Sequence, residues 1–372
     1  MNDISSIPIK MNQSSFKVGL AQRVLASYRI PLFDVLSETF DGQFSVYAGQ
    51  PRPDEMIDCS KKPQKAVFWP ADNIHLLGGK AYFCLQTDIL KWLRSWNPDV
   101  LILEANQRYL MLPAAVSWMH RRGRKVIGWG LGTGSVSKRT ASGFLKKFDA
   151  MLTYSTAGKE SYCSAGYPPE KIFIARNAAV RRPAGAIPIR SSAAFSGRPI
   201  VLYVGRLQER KRVDLLISAC AAQPDMLKPD LWIIGDGPVR KSLEEKAAAV
   251  YPETKFLGAR YGDELKAFFD KADLFVLPGT GGLALQQAMA SALPLISAEA
   301  DGTQNDLVRK ENGRIVQPGN LLDLTQAISG ILSNVPRLRA MGNESYRIVS
   351  EEINLETMAE TIRQAVFFTQ GK

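Results

Sequence analysis

Short apolar runs alternate with helical patterns along this chain of 372 residues. The runs lie at residues 18–21, 100–103, 126–129, 151–154, 200–204, 231–234 and 274–277. Each run is short and rich in Val, Ile and Leu, which indicates a buried strand rather than a helix. Strands that alternate with helices form parallel sheets covered by helices, so the sequence predicts an α/β protein.

A chain of this length is long enough for two domains, each with its own core. A segment from 181 to 199, rich in Pro, Gly and Ser, separates two groups of strand-like runs. That composition breaks regular structure and suits a linker. We predict a Rossmann-like domain at 1–182, a linker at 183–199 and a second such domain at 200–352. A helix at 353–372 is expected to pack on one of them, with a return to the first domain as one option.

The composition is that of a soluble globular protein, with 45% hydrophobic and 22% charged residues. No apolar run approaches the ~20 residues that cross a bilayer, and the polar segment 1–15 does not resemble a secretory signal. We therefore expect a cytoplasmic protein. The four cysteines form no CxxC pair and are interpreted as small hydrophobic residues.

The net charge of +11 favours polyanionic partners such as nucleic acid, anionic lipid or nucleotide diphosphates. The sequence lacks zinc-ligand spacing, an RRM-like aromatic strand and a helix-turn-helix signal, so no nucleic-acid partner is expected. Basic clusters at 121–125, 138–139 and 146–147 suit an anionic membrane surface, on which the protein would rest peripherally at the inner face. A solvated basic face is the alternative interpretation.

Two cations follow the strand-like run at 200–204. Gly205 ends the run, and Arg206 and Lys211 come after it at a spacing of five. Doubly wound folds bind ligands at the carboxyl ends of parallel strands, where these two side chains together suit a diphosphate. Taken alone, they are equally consistent with solvated loop cations.

Two glycine-containing loops follow the next runs. The segment Gly235-Asp236-Gly237-Pro238 is a turn whose glycines allow close approach of a ligand, or simply connect a strand to a helix. The segment 278–283 is glycine-rich and opens a helix, and unpaired amides at such a position suit phosphate.

In order and spacing, these segments resemble glycosyltransferase family 4, the retaining GT-B enzymes that use nucleotide-sugar donors. The resemblance covers most of 200–320 and also includes the run 166–172. Its pieces are Gly205-Arg206-Leu207 with Lys211, Gly235-Asp236-Gly237-Pro238, Phe256-Leu257-Gly258, the run 272–278, Ala288-Met289-Ala290 and Pro294-Leu295-Ile296. It implies a GT-B fold, in which two Rossmann-like doubly wound domains face each other across a cleft.

The resemblance also implies roles for individual residues. Arg206 and Lys211 would bind the donor diphosphate and stabilise the charge that develops on it, and are the catalytic candidates. The implied donor-binding residues are Gly205, Gly235, Gly237, Pro238, Phe256, Gly258, Gly281, Gly282, Leu283 and Gln287. The first domain supplies acceptor-side candidates, namely Arg23, Tyr28, Arg29, Glu104, Asn106, Gly130 and Gly132. We expect no metal ion and no cofactor, because the nucleotide sugar is itself a substrate.

The chain departs from the family pattern at two places. The family usually has two glutamates separated by seven residues, but the matching positions here are Gly279 and Gln287. The amide oxygen of Gln287 still accepts a hydrogen bond from a ribose hydroxyl, whereas Gly279 has no side chain to offer. In this family the leaving diphosphate helps to deprotonate the acceptor, so loss of the glutamates need not abolish transfer.

The first domain is harder to interpret. Family members often carry a histidine after an N-domain strand, but His75 and His120 do not stand in the expected loop. The glycines at 130–134 leave room for a sugar or form a flexible turn. Glu104 follows a strand-like run and is either a general base or, with more support, an exposed loop glutamate.

The sequence therefore predicts a retaining glycosyltransferase that moves a sugar from a nucleotide-diphosphate donor to a glycan or lipid-linked acceptor, in bacterial-type polysaccharide or glycolipid assembly. Two alternatives stay open: a non-catalytic GT-B relative that acts as a binding or scaffold subunit, and a GT-B nucleotide-sugar epimerase. A dehydrogenase is disfavoured, since Ser135 stands where the third glycine of a dinucleotide fingerprint belongs.

Overall fold

The structure is a computed structural model that describes residues 16–371 except 56, 135–137, 192, 196 and 301, and no side chain at 80, 138 or 139. The prediction about segment 1–15 lies outside these residues, as do the side chains of the basic cluster at 138–139. No helix within the described part of the chain is long and apolar enough to span a membrane.

In the described residues most strands are followed by a helix; the exceptions are the run β2 to β5, the pair β9 and β10, and the three closing helices. The strands are β1 (Val18–Val24), β2 (Phe44–Gly49), β3 (Val67–Pro70), β4 (Asn73–Leu76), β5 (Phe83–Gln86), β6 (Val100–Glu104), β7 (Lys125–Gly130), β8 (Ala150–Thr153), β9 (Ile172–Ile174), β10 (Ile200–Val204), β11 (Asp230–Ile234), β12 (Lys255–Phe256), β13 (Leu274–Leu277), β14 (Leu295–Ala298) and β15 (Gly313–Val316). The helices are α1 (Ile30–Thr39), α2 (Ile89–Trp96), α3 (Leu112–His120), α4 (Lys138–Leu145), α5 (Thr156–Ser164), α6 (Val213–Ala221), α7 (Arg240–Val250), α8 (Gly262–Lys271), α9 (Leu283–Ala290), α10 (Gln304–Leu307), α11 (Leu321–Leu332), α12 (Val335–Glu351) and α13 (Leu355–Thr369). The strand-like runs of the sequence all fall on strands, which confirms the α/β prediction.

Two larger sheets carry this architecture. One has the order β3-β2-β1-β6-β7-β8-β9 and the other the order β12-β11-β10-β13-β14-β15. In both, the first strand of the group lies in the middle and the order reverses beside it, as in Rossmann folds. The pairs of β10 with β11 and with β13 are parallel, and Val201, Leu202 and Tyr203 are fully buried. The predicted pair of doubly wound halves is confirmed.

The chain packs into two compact units. Among the described residues, those of the first unit lie within Met1–Gly130, Arg139–Leu152 and Arg363–Lys372, and those of the second within Leu131–Lys138 and Thr153–Ile362. The division differs from the predicted domains because residues 153–182 pack within the second unit. The side chain of Gln286 there bonds to the carbonyl of Asn177 and accepts from the amide of Ala179 at 2.6 Å. Where independently folding domains begin and end stays a prediction.

Candidate functional site

Four loops of the second unit meet at the carboxyl ends of β10 to β13. The amide of Gly205 donates to the carbonyl of Ile234 at 3.0 Å, and the amide of Leu207 donates to the carbonyl of Asp236 at 2.9 Å. The loop after β11 is tied to the loop after β12, because the amide of Gly235 donates to the carbonyl of Gly258 at 2.8 Å. Backbone bonds therefore fix these loops before any ligand arrives.

Two of the predicted donor-site glycines make this loop packing feasible. A Cβ at Gly235, where φ is +137°, would lie 1.9 Å from the carbonyl oxygen of Gly205. A Cβ at Gly237 would lie 2.2 Å from the carbonyl oxygen of Leu207. Such distances are far inside van der Waals contact with backbone. These glycines are thus required where backbone approaches backbone, and any contact with a ligand would be additional.

Lys211 lies at the end of a short 3-10 turn, Glu209–Lys211, that follows Gly205 and Arg206. Its ammonium donates to the carbonyl of Thr280 in the loop after β13. Burial, together with the nearby guanidinium of Arg210, lowers the pKa of Lys211 to about 8. No carboxylate among the residues that the structure describes lies within ion-pair distance of this ammonium. An anion placed here would restore the charged form of the lysine.

Arg210 is a neighbour of this site that the sequence did not single out. Its guanidinium donates to Thr280 Oγ1 at 2.9 Å and to Gln208 Oε1 at 3.1 Å. The amide of Thr280 in turn donates to the carbonyl of Arg210 at 3.2 Å. The bonds close the loop after β13 onto the loop after β10, and place two cations at its edge without a carboxylate between them.

Arg206, the other predicted catalytic residue, follows Gly205 on the same loop and is half-buried. Its backbone is fixed to the sheet, because the hydroxyl of the buried Tyr203 donates to the carbonyl of Arg206 at 3.2 Å. Arg206 and Lys211 therefore lie on one loop at the centre of the sheet, as the motif predicts. Their roles in binding or catalysis stay predictions.

Gly279, the position of the first missing glutamate, leaves no room for any side chain. A Cβ there would lie 2.3 Å from the carbonyl oxygen of Arg210 and 2.5 Å from the carbonyl carbon of Lys211. The backbone of residues 210 and 211 thus occupies the space into which a carboxylate would project. Gly281 is constrained too, since its φ is +116° and a Cβ would lie 2.2 Å from the ammonium of Lys211.

Gln287, the position of the second missing glutamate, is exposed on α9. It lines a cavity of about 420 Å³ with the segment 180–188 and α8. The neighbouring Gln286 is buried and has both ends of its amide bonded to backbone. Gln286 is therefore structural, and Gln287 is the glutamine whose side chain is accessible to a ligand.

The remaining donor-side residues surround the same loops. Phe256 is half-buried, Pro238 is exposed, and Gly258 has a φ of +70°, with the Arg240 guanidinium 3.8 Å from where a Cβ would lie. Gly282 caps α9, and with Leu283 it lines a cavity of about 70 Å³ that Arg176 and Thr303 also border. The backbone at Gly258 and Gly282 is compatible with the predicted contacts to a base and to phosphate.

The lowered pKa of Lys211 makes anion affinity depend on pH. An anion binds the protonated lysine, so affinity is full well below the pKa of about 8 and falls as pH rises through it. We expect the dissociation constant of a nucleoside diphosphate to rise up to roughly tenfold for each pH unit above about 8. Isothermal titration between pH 7 and 9.5 measures this. Lys211→Arg is the control, because its guanidinium stays charged and should flatten the profile; an equally flat profile for the wild type would contradict the prediction.

In the first unit, two acceptor-side candidates are bonded to each other. The backbone amide of Arg23 donates to Glu104 Oε2 at 2.7 Å, and the Arg23 guanidinium binds both oxygens of Glu55 at 2.7 and 2.9 Å. Burial raises the pKa of Glu104, which also receives a hydrogen bond from Tyr109. The expectation of an exposed loop glutamate is therefore wrong. Glu104 lies beneath the end of β1 and holds the backbone there.

The other acceptor-side candidates are more dispersed. Tyr28 is 46% exposed, and the buried Arg29 places its guanidinium over the rings of Tyr28 and Trp129. Asn106 Oδ1 accepts from the amide of Arg108 at 3.0 Å. Gly130 ends β7 in the first unit, whereas Gly132, with a φ of +133°, packs in the second unit, where a Cβ would lie 2.9 Å from Ser161 Oγ.

Within the part of the chain that is described, no three His, Cys, Asp or Glu side chains lie close enough together to hold a metal ion. His75, which does not stand in the loop where family members often carry a histidine, has its Nδ1 2.9 Å from the hydroxyl of Tyr82. The absence of a metal or cofactor from the reaction stays a prediction.

The loops around Lys211 lie in a segment that is similar to a known protein family. Residues 198–334 match the family model described as glycosyl transferases group 1. A sulfoquinovosyl transferase of Arabidopsis thaliana is 31% identical over 150 residues, which are 39% of this chain and 28% of the plant protein. A GDP-mannose-dependent alpha-mannosyltransferase of Mycobacterium tuberculosis is 28% identical over 297 residues, which are 71% of this chain and 74% of that protein.

The fold agrees over nearly the whole chain. The crystal structure of the Anabaena protein Alr3699/HepE in complex with UDP has a TM-score of 0.73 at 16% identity, and the match covers 95% of this chain and 100% of that one. At this identity the likeness concerns the fold, which is GT-B. The family model and the mannosyltransferase relative support a glycosyltransferase similar to family 4, on a chain whose fold is GT-B.

Proposed function

We propose that the protein transfers a sugar, with retention of configuration, from a nucleotide-diphosphate donor to a glycan or lipid-linked acceptor. One observation carries the donor part of this proposal. Arg210 and Lys211 lie at the carboxyl end of the second sheet without a carboxylate partner among the described residues, on loops that backbone bonds already hold. A dianionic diphosphate is the ligand class that such a site favours.

The chemistry follows from where charge develops. As the bond between the sugar and the diphosphate breaks, negative charge accumulates on the departing phosphate oxygens. A preorganised cation stabilises this charge more than it stabilises the intact donor, because no reorganisation is needed at that moment. Lys211 is suited to this role since its half-buried ammonium gains most from a new anionic partner. Arg206, on the same loop, is proposed to act with it.

The relatives support a nucleotide sugar as donor. The mycobacterial relative is named for GDP-mannose, the plant relative for sulfoquinovosyl transfer, and the Anabaena structure contains UDP. We propose that glycolipid or polysaccharide assembly is the setting in which this chain acts, at the inner face of a membrane.

Thermal unfolding with a panel of UDP, GDP, ADP, dTDP and their common sugars tests the donor site. A ligand at 100 times its dissociation constant adds about 2.7 kcal/mol to the free energy of unfolding. This corresponds to a rise in Tm of several degrees for domains of this size. We expect one nucleotide to raise Tm selectively. An unchanged Tm with every member of the panel would contradict the proposal.

A second candidate, a binding or scaffold subunit without transferase activity, is favoured by the closed space at Gly279. If sugar recognition needs a carboxylate at that position, this chain cannot supply one. Such a protein would bind a nucleotide but release none from a nucleotide sugar. Turnover measured with a donor that has been identified by the Tm shift distinguishes the two functions.

A further inference from the structure

A small polar cavity lies beside the start of α9. Its volume is about 70 Å³, roughly that of two water molecules in the liquid. The wall at α9 is formed by Gly282 and Leu283. The opposite walls include the polar residues Arg176, Asn177, Thr303 and Asp306. All of these residues belong to the second unit, so the cavity is a feature of that unit alone.

Arg176 is the cation of this cavity. It follows β9 and is half-buried, and none of the described residues forms a hydrogen bond or an ion pair with its guanidinium. A guanidinium that is partly withdrawn from water usually has an anionic partner, because burial of an unpaired charge costs free energy. Its planar arrangement of donors matches the two oxygens of a carboxylate. Arg176 therefore favours a ligand that carries a carboxylate.

Asp306 is a carboxylate in the same cavity, but its oxygens are already bonded elsewhere. Oδ2 accepts from the amide of Thr156 at 2.9 Å, and Oδ1 accepts from the hydroxyl of Thr156 at 2.8 Å. Thr156 is the first residue of α5, where the helix dipole also stabilises a negative charge. No ion pair joins Asp306 to Arg176 within the described structure. Asp306 is therefore the partner of α5 and not of the guanidinium.

Asn177 supplies an acceptor next to this cation. Its backbone carbonyl accepts from the side chain of Gln286, which ties the segment to α9. Its side-chain Oδ1 is buried and receives no hydrogen bond from the described residues. Buried acceptors are normally paired with a donor, and a sugar hydroxyl is such a donor. A cation beside an acceptor matches an acidic sugar, which carries both a carboxylate and hydroxyls, better than it matches a simple anion.

The cavity lies next to the proposed diphosphate site. Gly281 is adjacent to Lys211, because a Cβ on Gly281 would overlap the lysine ammonium. The next two residues, Gly282 and Leu283, line the cavity. Two residues of extended chain span at most about 7 Å, which a sugar ring can bridge. A sugar bonded to a diphosphate at Lys211 can therefore place a substituent in the cavity.

We propose that the donor is a nucleoside diphosphate sugar of the uronic acid class, whose carboxylate binds Arg176 while a hydroxyl donates to Asn177. The inference rests on the proposed function, because it assigns the sugar of that same donor. Arg176 determines specificity and has no part in breaking the bond to the diphosphate. A neutral hexose would leave the guanidinium without a charged partner, so the site discriminates against it.

Isothermal titration of the full chain with matched donors tests the assignment. The pairs are UDP-glucose with UDP-glucuronate, UDP-galactose with UDP-galacturonate, and GDP-mannose with GDP-mannuronate. Within a pair, the sugar carries either a hydroxymethyl group or a carboxylate. We expect the wild type to bind the acidic member of one pair at least about tenfold more tightly than the neutral member, the effect of one hydrogen-bonded charge pair.

Arg176→Gln should lose this preference and keep the wild-type Kd for free UDP or GDP. Arg176→Lys should retain part of the preference, because the charge stays while the planar pair of donors is lost. The matched control is Arg337→Gln, since Arg337 is an exposed arginine on α12 of the same unit. This control removes the same charge and should keep the full preference.

Two results would overturn the assignment: a wild type that binds both members of every pair equally, or an Arg176→Gln variant that still prefers the acidic sugar. If Arg176→Gln lowers the Tm of the unliganded protein, Arg176→Met is the second variant, and the wild-type comparison needs no variant at all. Binding of free UDP or GDP without a preference for acidic sugars overturns this inference alone. No binding of any nucleotide overturns the donor site as well.

Discussion

Replacing Lys211 by Ala is expected to lower kcat by about 10²–10³, the effect of losing one preorganised group that stabilises developing negative charge. The lysine is half-buried, bonds to the carbonyl of Thr280 and has a pKa lowered to about 8 by burial. Keeping the ammonium charged therefore costs free energy in the unliganded protein. A bound anion offsets this cost. The variant should also lose most of the Tm shift given by the selected nucleotide.

The control for this variant is Lys241→Ala, since Lys241 is an exposed lysine on α7 of the same unit. It changes the net charge equally and should keep both kcat and the Tm shift. Without ligand, Lys211→Ala should be no less stable than the wild type, because it removes a cation that burial disfavours. A Lys211→Ala variant with wild-type kcat would contradict the proposal that Lys211 stabilises the charge on the departing diphosphate.

Gly279→Ala is expected to destabilise the second unit by about 3 kcal/mol, the upper end of the usual cost of overpacking. The added Cβ would lie 2.3 Å from the carbonyl oxygen of Arg210 and within 2.6 Å of the Lys211 backbone. Backbone on both sides cannot yield as a side chain can, so the loops after β10 and β13 must separate. The variant should show a Tm lowered by several degrees and a weakened nucleotide shift.

The matched control is Gly330→Ala in α11, where an added Cβ meets nothing within 4 Å. Alanine in a helix interior should raise stability by about 0.5–1 kcal/mol. Gly279→Glu should destabilise at least as much as Gly279→Ala, although it restores the usual family residue. If Gly279→Glu were instead stable and bound nucleotide more tightly, the space at this position would be open and our description of the loop wrong.

Local patterns in the sequence predicted the sheets well. The runs at 200–204, 231–234 and 274–277 became the central strands of the second sheet because β-branched and aliphatic residues in short buried runs have few other conformations available. The spacing of Gly205, Arg206 and Lys211 likewise placed the two cations on one loop. Features that depend on neighbouring residues in the chain could be predicted from the sequence.

Features that depend on contacts between distant segments of the chain could not be predicted from the sequence. The sequence left two roles open for Gly235 and Gly237, close approach of a ligand or a plain strand-to-helix turn. It gave no sign that they pack against the backbone of Gly205 and Leu207. The sequence did not single out Arg210, because its partner Thr280 lies 70 residues away in the chain. Glu104 was expected to be exposed, because nothing nearby in sequence reveals that the Arg23 amide and Tyr109 surround it.

The hairpin formed by β4 and β5 shows the same limit. The run 73–86 contains both polar and apolar residues, and its alternation gives two faces without saying which one meets the protein. Only the positions of Tyr82, Gln22 and residues 108–110 show that the polar face is inside.

Release of nucleoside diphosphate from a panel of nucleotide sugars, with and without a lipid extract as acceptor, tests the central claim most directly. We expect one donor to release its nucleoside diphosphate in an acceptor-dependent manner, with the sugar recovered on the acceptor, and this release to be lost in Lys211→Ala but kept in Lys241→Ala. No release from any donor, conversion of the donor to an isomer without acceptor, or equal release by Lys211→Ala would contradict it.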